Sequence, residues 1–201
     1  MQSPVIVYSD FNCPFCYALN ERLRSFGADA HVAWRGVQHA PGLPIPLRQY
    51  HGDRAGELKW EVDAVHRLAA DLPIMVPPGK PNTARAIRAS AVAMWADPSR
   101  GREFKNLLYR ALWCEGADLS HLPVLERVAQ QAGFTDLSFI DLDRHVTAAN
   151  VDRWQNDWER TGHLAVPLLL HRSGRILAGL PTAEALASFL RSDPEAADRP
   201  V

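Results

Sequence analysis

Cys13-Pro14-Phe15-Cys16 stands where a strand hands over to a helix, and no other feature constrains the chain as tightly. The run Val5-Ile6-Val7-Tyr8, within an expected strand Pro4 to Tyr8, reads as buried and extended. Ala18-Leu19-Asn20-Glu21-Arg22-Leu23 reads as the start of a helix. Cys13 therefore falls in the connecting loop or the first helical turn. The free N–H groups and the positive dipole end of that helix favour an anion. A thiolate is such an anion, so this position lowers a thiol's pKa. Cys16, one turn further on, faces the same way and is placed to close a disulfide with Cys13. Pro14 is tolerated because first-turn N–H groups have no intrahelical partner.

Two cysteines at this spacing are a redox pair, a metal half-site or a coincidence. A zinc half-site needs a second half with two more ligands. The one other cysteine, Cys114, is alone, and none of the eight histidines forms an HxxxH pair beside a cysteine. The redox reading is favoured, and no metal is expected. Three cysteines also argue against a structural disulfide framework.

The chain has 201 residues, enough to bury a core without disulfide staples. A net charge of −1 leaves no basic stripe for nucleic acid and no charge block for a membrane surface. No apolar run approaches the roughly 20 residues that span a bilayer. Met1-Gln2-Ser3-Pro4 shows no basic, apolar or cleavage region of a leader, so a cytoplasmic protein is expected. Disulfides in that compartment are mostly transient and catalytic.

The periodicity predicts a β-α-β unit first. A helix runs from Tyr17 to Phe26 with Gly27 at its C-cap, and a second, parallel strand covers Ala30 to Arg35. Pro41, Pro44 and Pro46 then break regular structure. Helices are predicted from Glu57 to Ala70; after an Asn82 cap, with Ile87, Ala91 and Met94 inward; and, beyond the separators Pro98 and Gly101, through Phe104, Leu107, Leu108, Ala111 and Leu112. Ser120 is read as the cap of a further helix, and Asp136 to Thr161 holds the last helices of the block. Val166 to Leu170 reads as a central strand, with a turn at His171 to Gly174, an antiparallel partner Arg175 to Ala178 and a terminal helix capped by Thr182. The order is β-α-β, a helical block too long for a loop, then β-β-α. The flanking parts make a four-stranded mixed sheet with the redox loop at one end.

In this order of motifs the chain resembles the DsbA-like branch of the thioredoxin superfamily, and within it the cytoplasmic FrnE-like oxidoreductases. The residues that carry the resemblance are Tyr8-Ser9-Asp10-Phe11-Asn12-Cys13-Pro14-Phe15-Cys16-Tyr17, Asn82-Thr83-Ala84-Arg85-Ala86, Ala111 to Ser120, and Gly162 to Pro167. It implies an α/β thioredoxin fold with an inserted all-helical domain. The expected boundaries are residues 1–45 and 162–192 for the thioredoxin-like parts, 46–161 for the insert and 193–201 for a flexible tail. It also implies a protein disulfide oxidoreductase. Cys13 would be the exposed attacking thiolate and Cys16 the more buried resolving thiol. Pro167 would be cis beside the disulfide, with the Val166 backbone offering strand-like hydrogen bonds to a peptide. Phe11, Pro14 and Phe15 complete the expected substrate-binding set. Pro14-Phe15 supplies no polar group to the thiolate, so an intermediate redox poise is expected.

The fold is also similar to kappa-class glutathione transferases and 2-hydroxychromene-2-carboxylate isomerases, which typically present a serine where this chain has Cys13. A glutathione-dependent transferase or isomerase is therefore the alternative function. No tightly bound cofactor is expected, and glutathione is a candidate reductant or co-substrate. The expected partners are disulfide- or thiol-containing proteins or glutathione, with no nucleic acid and no membrane; a dimer is compatible with the sequence. Cys114 shares an apolar helical face with Leu107 and Ala111 and is read as a buried spectator. His39, His163 and His171 are each candidates to line the cleft, and no spacing singles one out.

Overall fold

The computed structural model describes residues 5–140 and 145–191. The expected tail at 193–201 lies outside them, as do Pro4 and part of the helical stretch predicted from Asp136 onward. Strand β1 (Val5–Ser9) leads into helix α1 (Pro14–Ser25) and strand β2 (Val32–Gly36). Helices α2 (Asp53–Leu68), α3 (Ala84–Ala96), α4 (Pro98–Trp113), α5 (Leu122–Gln131) and α6 (His145–Glu159) follow, with a short 3-10 turn at Ser138–Ile140. Strands β3 (Leu168–His171) and β4 (Ile176–Ala178) and helix α7 (Ala183–Arg191) close the chain. The sheet order is β2-β1-β3-β4. β1 pairs parallel with β2, Val7 opposite Trp34. It pairs antiparallel with β3, Val7 opposite Leu169. This is the predicted mixed sheet.

Period-2 alternation divides the strands between two cores. Val5, Val7 and Leu169 pack with Leu19 and Leu23 of α1 and with Leu186 and Phe189 of α7. Tyr8 and Leu168 face the other way, into a larger cluster with Ile87, Phe104, Leu108, Leu112, Trp113 and Trp158. Cys13 and Cys16 belong to this second cluster, so the helical block shares its core with the redox loop.

Four local expectations are corrected. Pro98 and Gly101 do not separate helices but open α4, with Asp97 capping the Ser99 and Arg100 N–H groups at 3.0 Å. Gly101 lies against α3 so closely that an added Cβ would stand 2.3 Å from the Met94 nitrogen. The buried face of α3 is Ala86, Ile87, Ala89, Ser90 and Ala93; Ala91 and Met94 are half-buried. Ser120 does not cap α5: its hydroxyl is held by Asp118 at 2.7 Å, and His121 takes the cap position. β3 starts at Leu168, two residues later than predicted, since Pro167 has no N–H for a ladder.

Candidate functional site

Cys13 is the N-cap of α1 and Pro14 fills its first position. The Cys13 carbonyl accepts the Cys16 and Tyr17 N–H groups at 3.1 and 3.2 Å, which closes the first turn around the pair. All three cysteines are thiols in this structure. The Val166–Pro167 peptide bond is cis. Its strand entry lies against the redox turn: the Cys13 thiol donates to the Val166 carbonyl at 3.4 Å. Sequence-distant Cys13, Cys16, Val166 and Pro167 thus meet in one place.

The expectation of an exposed Cys13 is corrected. Its residual exposure is 6 %, against 1 % for Cys16, because the Val166 segment covers the sulfur. Cys13 is still the more accessible of the two. Phe11 does not line a substrate face. It is wholly buried, its ring 4.7 Å from that of Tyr109 and 5.5 Å from that of Trp34, and its carbonyl accepts the Trp113 indole N–H at 2.8 Å. Pro14, Val166 and Pro167 are buried too, and Phe15 is half-buried. Leu164, two residues before Val166, is 78 % exposed. It went unnoticed in the sequence because one leucine in a polar loop carries no pattern.

The two thiols have opposite acidities. Burial pushes Cys13 up, but hydrogen bonding from the Cys16 thiol and backbone N–H and the charges of His39 and Lys80 outweigh it. The result is a Cys13 pKa below the ordinary thiol value. Burial pushes Cys16 well above that value; the Cys13 hydrogen bond and charge add to it, and Ser9 and the Asp10 backbone oppose it. The attacking role suits the thiol that ionises first.

His39 is the one of the three candidate histidines that the fold brings to the pair. Its ring Nδ1 lies 2.9 Å from Asp10 Oδ2, which also accepts the His39 backbone N–H at 3.0 Å. Asp10 is wholly buried, and its Oδ1 accepts the Thr83 hydroxyl at 2.6 Å. Burial pushes the His39 pKa down, while the Asp10 hydrogen bond and charge and the Cys13 charge raise it by more. Asp10 was visible in the sequence only as part of a motif; its partners lie 29 and 73 residues away. His163 is exposed, and His171 sits at the far end of β3, bonded to Ser173.

Cys114 is not the buried residue expected. It is the half-buried C-cap of α4, bonded to the Pro73 carbonyl at 3.1 Å and the Tyr17 hydroxyl at 3.2 Å. Its N–H still bonds the Arg110 carbonyl, so it stays at the edge of the core that Leu107 and Ala111 share, but with its sulfur turned to polar partners. Among the described residues no three His, Cys, Asp or Glu side chains gather to hold a metal ion, and no helix is long and apolar enough to cross a membrane.

A sheet of this order, a CxxC at the N-terminus of the helix after β1 and a cis-proline strand facing it define a DsbA-like protein. The family model of the DsbA-like thioredoxin domain matches residues 4–190, and the chain belongs to that family. A probable DsbA oxidoreductase from Streptomyces coelicolor, SCO1869, is 18% identical, with a TM-score of 0.76 over 98% of this chain and 91% of its own. A 2-hydroxychromene-2-carboxylate isomerase is 19% identical, with a TM-score of 0.69 over 96% and 93%. The cytosolic disulfide reductase DsbM from Pseudomonas aeruginosa, in a structure with GSH, is 15% identical, with a TM-score of 0.65 over 94% and 99%. At these identities the likenesses establish the fold.

Proposed function

We propose that this chain is a thiol–disulfide oxidoreductase in which Cys13 attacks and Cys16 resolves. The observation that carries this reading is geometric: Cys13 caps α1 with Cys16 one turn on, and the Cys13 sulfur faces the Val166 carbonyl at the entry to the cis-Pro167 strand. The Cys13 thiolate attacks one sulfur of a substrate disulfide and releases the other as a thiolate. Cys16 then loses its proton and attacks the Cys13 sulfur, closing the Cys13–Cys16 disulfide and releasing the second substrate thiolate. Val166, Pro167, Phe15 and Leu164 form the contact face, with Val166 offering its backbone for strand-like hydrogen bonds. Residues 46–161 act as a lid over the pair and select which disulfides reach Cys13. Glutathione is the small thiol proposed as reductant or co-substrate, since a reductase of the same fold is described with GSH. A cytoplasmic setting is part of the same proposal.

The transferase or isomerase alternative has the fold in its favour and a resolving thiol against it, since conjugation has no use for one. The test compares reduction of a glutathione mixed disulfide with conjugation of a model electrophile, in wild type and Cys16→Ser. Reduction in wild type only supports exchange. Conjugation that survives Cys16→Ser, with no reduction in wild type, assigns the chain to the transferase chemistry.

A further inference from the structure

Resolution requires Cys16 to lose a proton, and the structure places that thiol where bulk water has little access. α4 packs against α1, the helix that carries Cys16. Tyr109 and Lys105, one turn apart on α4, both point into this contact. The Tyr109 hydroxyl lies 2.6 Å from the Ser9 hydroxyl, which in turn bonds Cys16. The Lys105 ammonium donates to the side-chain carbonyl of Asn20, one turn after Cys16 on α1. Residues four apart on a helix are neighbours at about 5–6 Å between Cβ atoms. Ser9, Cys16, Asn20 and Lys105 line one cavity of about 10 Å³, with Val7, Leu19, Leu23, Val32 and Trp34 supplying its apolar wall. That volume is about the least that admits one water molecule.

Lysine is an uncommon residue for a buried helix contact, and Lys105 has one neutral acceptor there, Asn20. The lysine is 4 % exposed and forms no ion pair among the described residues, so its charge is costly and poorly compensated. Burial lowers its pKa to about 8. Asp29 and Glu21 partly oppose this from a distance, and Arg24 and Arg102 add to it. On the Cys16 side the facing titratable groups are Cys13 and Tyr109.

We propose that Lys105 is the acid–base partner of Cys16, exchanging a proton with it across this cavity through one bridging water. This rests on the two-thiol reading above. In the resolving step the neutral amine takes the Cys16 proton and becomes ammonium. The Cys16 thiolate attacks the Cys13 sulfur of the mixed disulfide, the Cys13–Cys16 bond forms, and the substrate sulfur leaves with the electron pair as a thiolate. In the reverse direction an incoming thiolate attacks Cys13, Cys16 departs as thiolate, and the Lys105 ammonium returns the proton. A lysine suits this work because its pKa moves readily on burial.

The experiment uses the aromatic disulfide DTNB, whose leaving thiolate is coloured, on the reduced full chain in a Cys114→Ala background. The first equivalent released reports attack by Cys13, and the second reports resolution by Cys16. The second phase of the parent protein should accelerate with pH and level off through about pH 8, as the amine becomes neutral. Lys105→Met should keep the first release within about twofold and slow the second at least about a hundredfold above pH 8, the low end for a positioned acid–base group. Its second phase should also lose the inflection near pH 8. Lys105→Met with an unchanged second phase, or a parent profile with no inflection there, overturns the assignment. Should the variant fail to fold, the parent profile alone decides. Release of one equivalent only by the parent overturns the two-thiol reading itself, and this inference with it.

Discussion

Asp10→Asn removes a buried charge that ties the redox loop to two other segments. The carboxylate accepts the Thr83 hydroxyl at 2.6 Å and the Asn12 N–H at 3.4 Å on one oxygen, and the His39 N–H and ring at 3.0 and 2.9 Å on the other. An amide has a single acceptor oxygen. With that oxygen toward His39, its NH2 group faces Thr83, whose hydroxyl can turn to accept, and the long bond from Asn12 is lost. The three short bonds survive without charge assistance. A bond to a charged group is worth about 1 kcal/mol more than a neutral one, so the loss is about 3 kcal/mol. For a chain of this size that is a fall in Tm of about 6–12 °C. The pH dependence is signed. Asp10 raises the folded-state pKa of His39. The pair therefore stabilises fully below the ordinary histidine pKa of about 6.5 and loses that contribution as pH rises through the higher folded value. The gap between wild type and variant should be widest near about pH 6 and shrink in alkali. The Cys13 thiolate, deprived of a cationic neighbour, should titrate at higher pH. Thermal melts across pH and thiolate absorbance check both parts. A Tm loss under about 2 °C, or a gap that does not narrow with pH, refutes the reasoning.

Gly101→Ala should cost at least about 2 kcal/mol by forcing α3 and α4 apart, since the new Cβ meets Met94 backbone at 2.3 Å. Denaturant midpoints measure it, and wild-type stability would show that the helices part easily. Cys114→Ala should leave exchange rates within about twofold, because no reacting atom touches that thiol; a large loss would make it a third redox group. In the pH dependence of alkylation, Cys13 should react first and below the ordinary thiol range, and Cys16 only above it. Earlier alkylation of Cys16 would reverse their roles.

The redox turn was legible because its signals are local: a β-branched strand, two cysteines and a proline at a helix start. The four-stranded mixed sheet followed from the element order, the cis Val166–Pro167 came through the resemblance, and the spatial order of the strands had no signal in the sequence. Pattern reading failed where contacts decide. The first turn of α2 carries no apolar repeat because it faces solvent, so its start at Asp53 was missed. Gly101 read as a breaker, but it is needed for close helix packing. Phe11 lies beside the cysteines in sequence and points into the core. His39 and Lys80 reach Cys13, and Tyr109 reaches Ser9 beside Cys16, only through tertiary contacts, from positions up to about a hundred residues away. No spacing rule reaches that far.

Trapping tests the central claim most directly. Reduced wild type, Cys13→Ser and Cys16→Ser are exposed to oxidised glutathione, and the site of any adduct is mapped by mass spectrometry. The account predicts a stable glutathione adduct on Cys13 in Cys16→Ser, a Cys13–Cys16 disulfide with no lasting adduct in wild type, and no exchange in Cys13→Ser. An adduct captured on Cys16 in Cys13→Ser, or no adduct on Cys13 in Cys16→Ser, would contradict it.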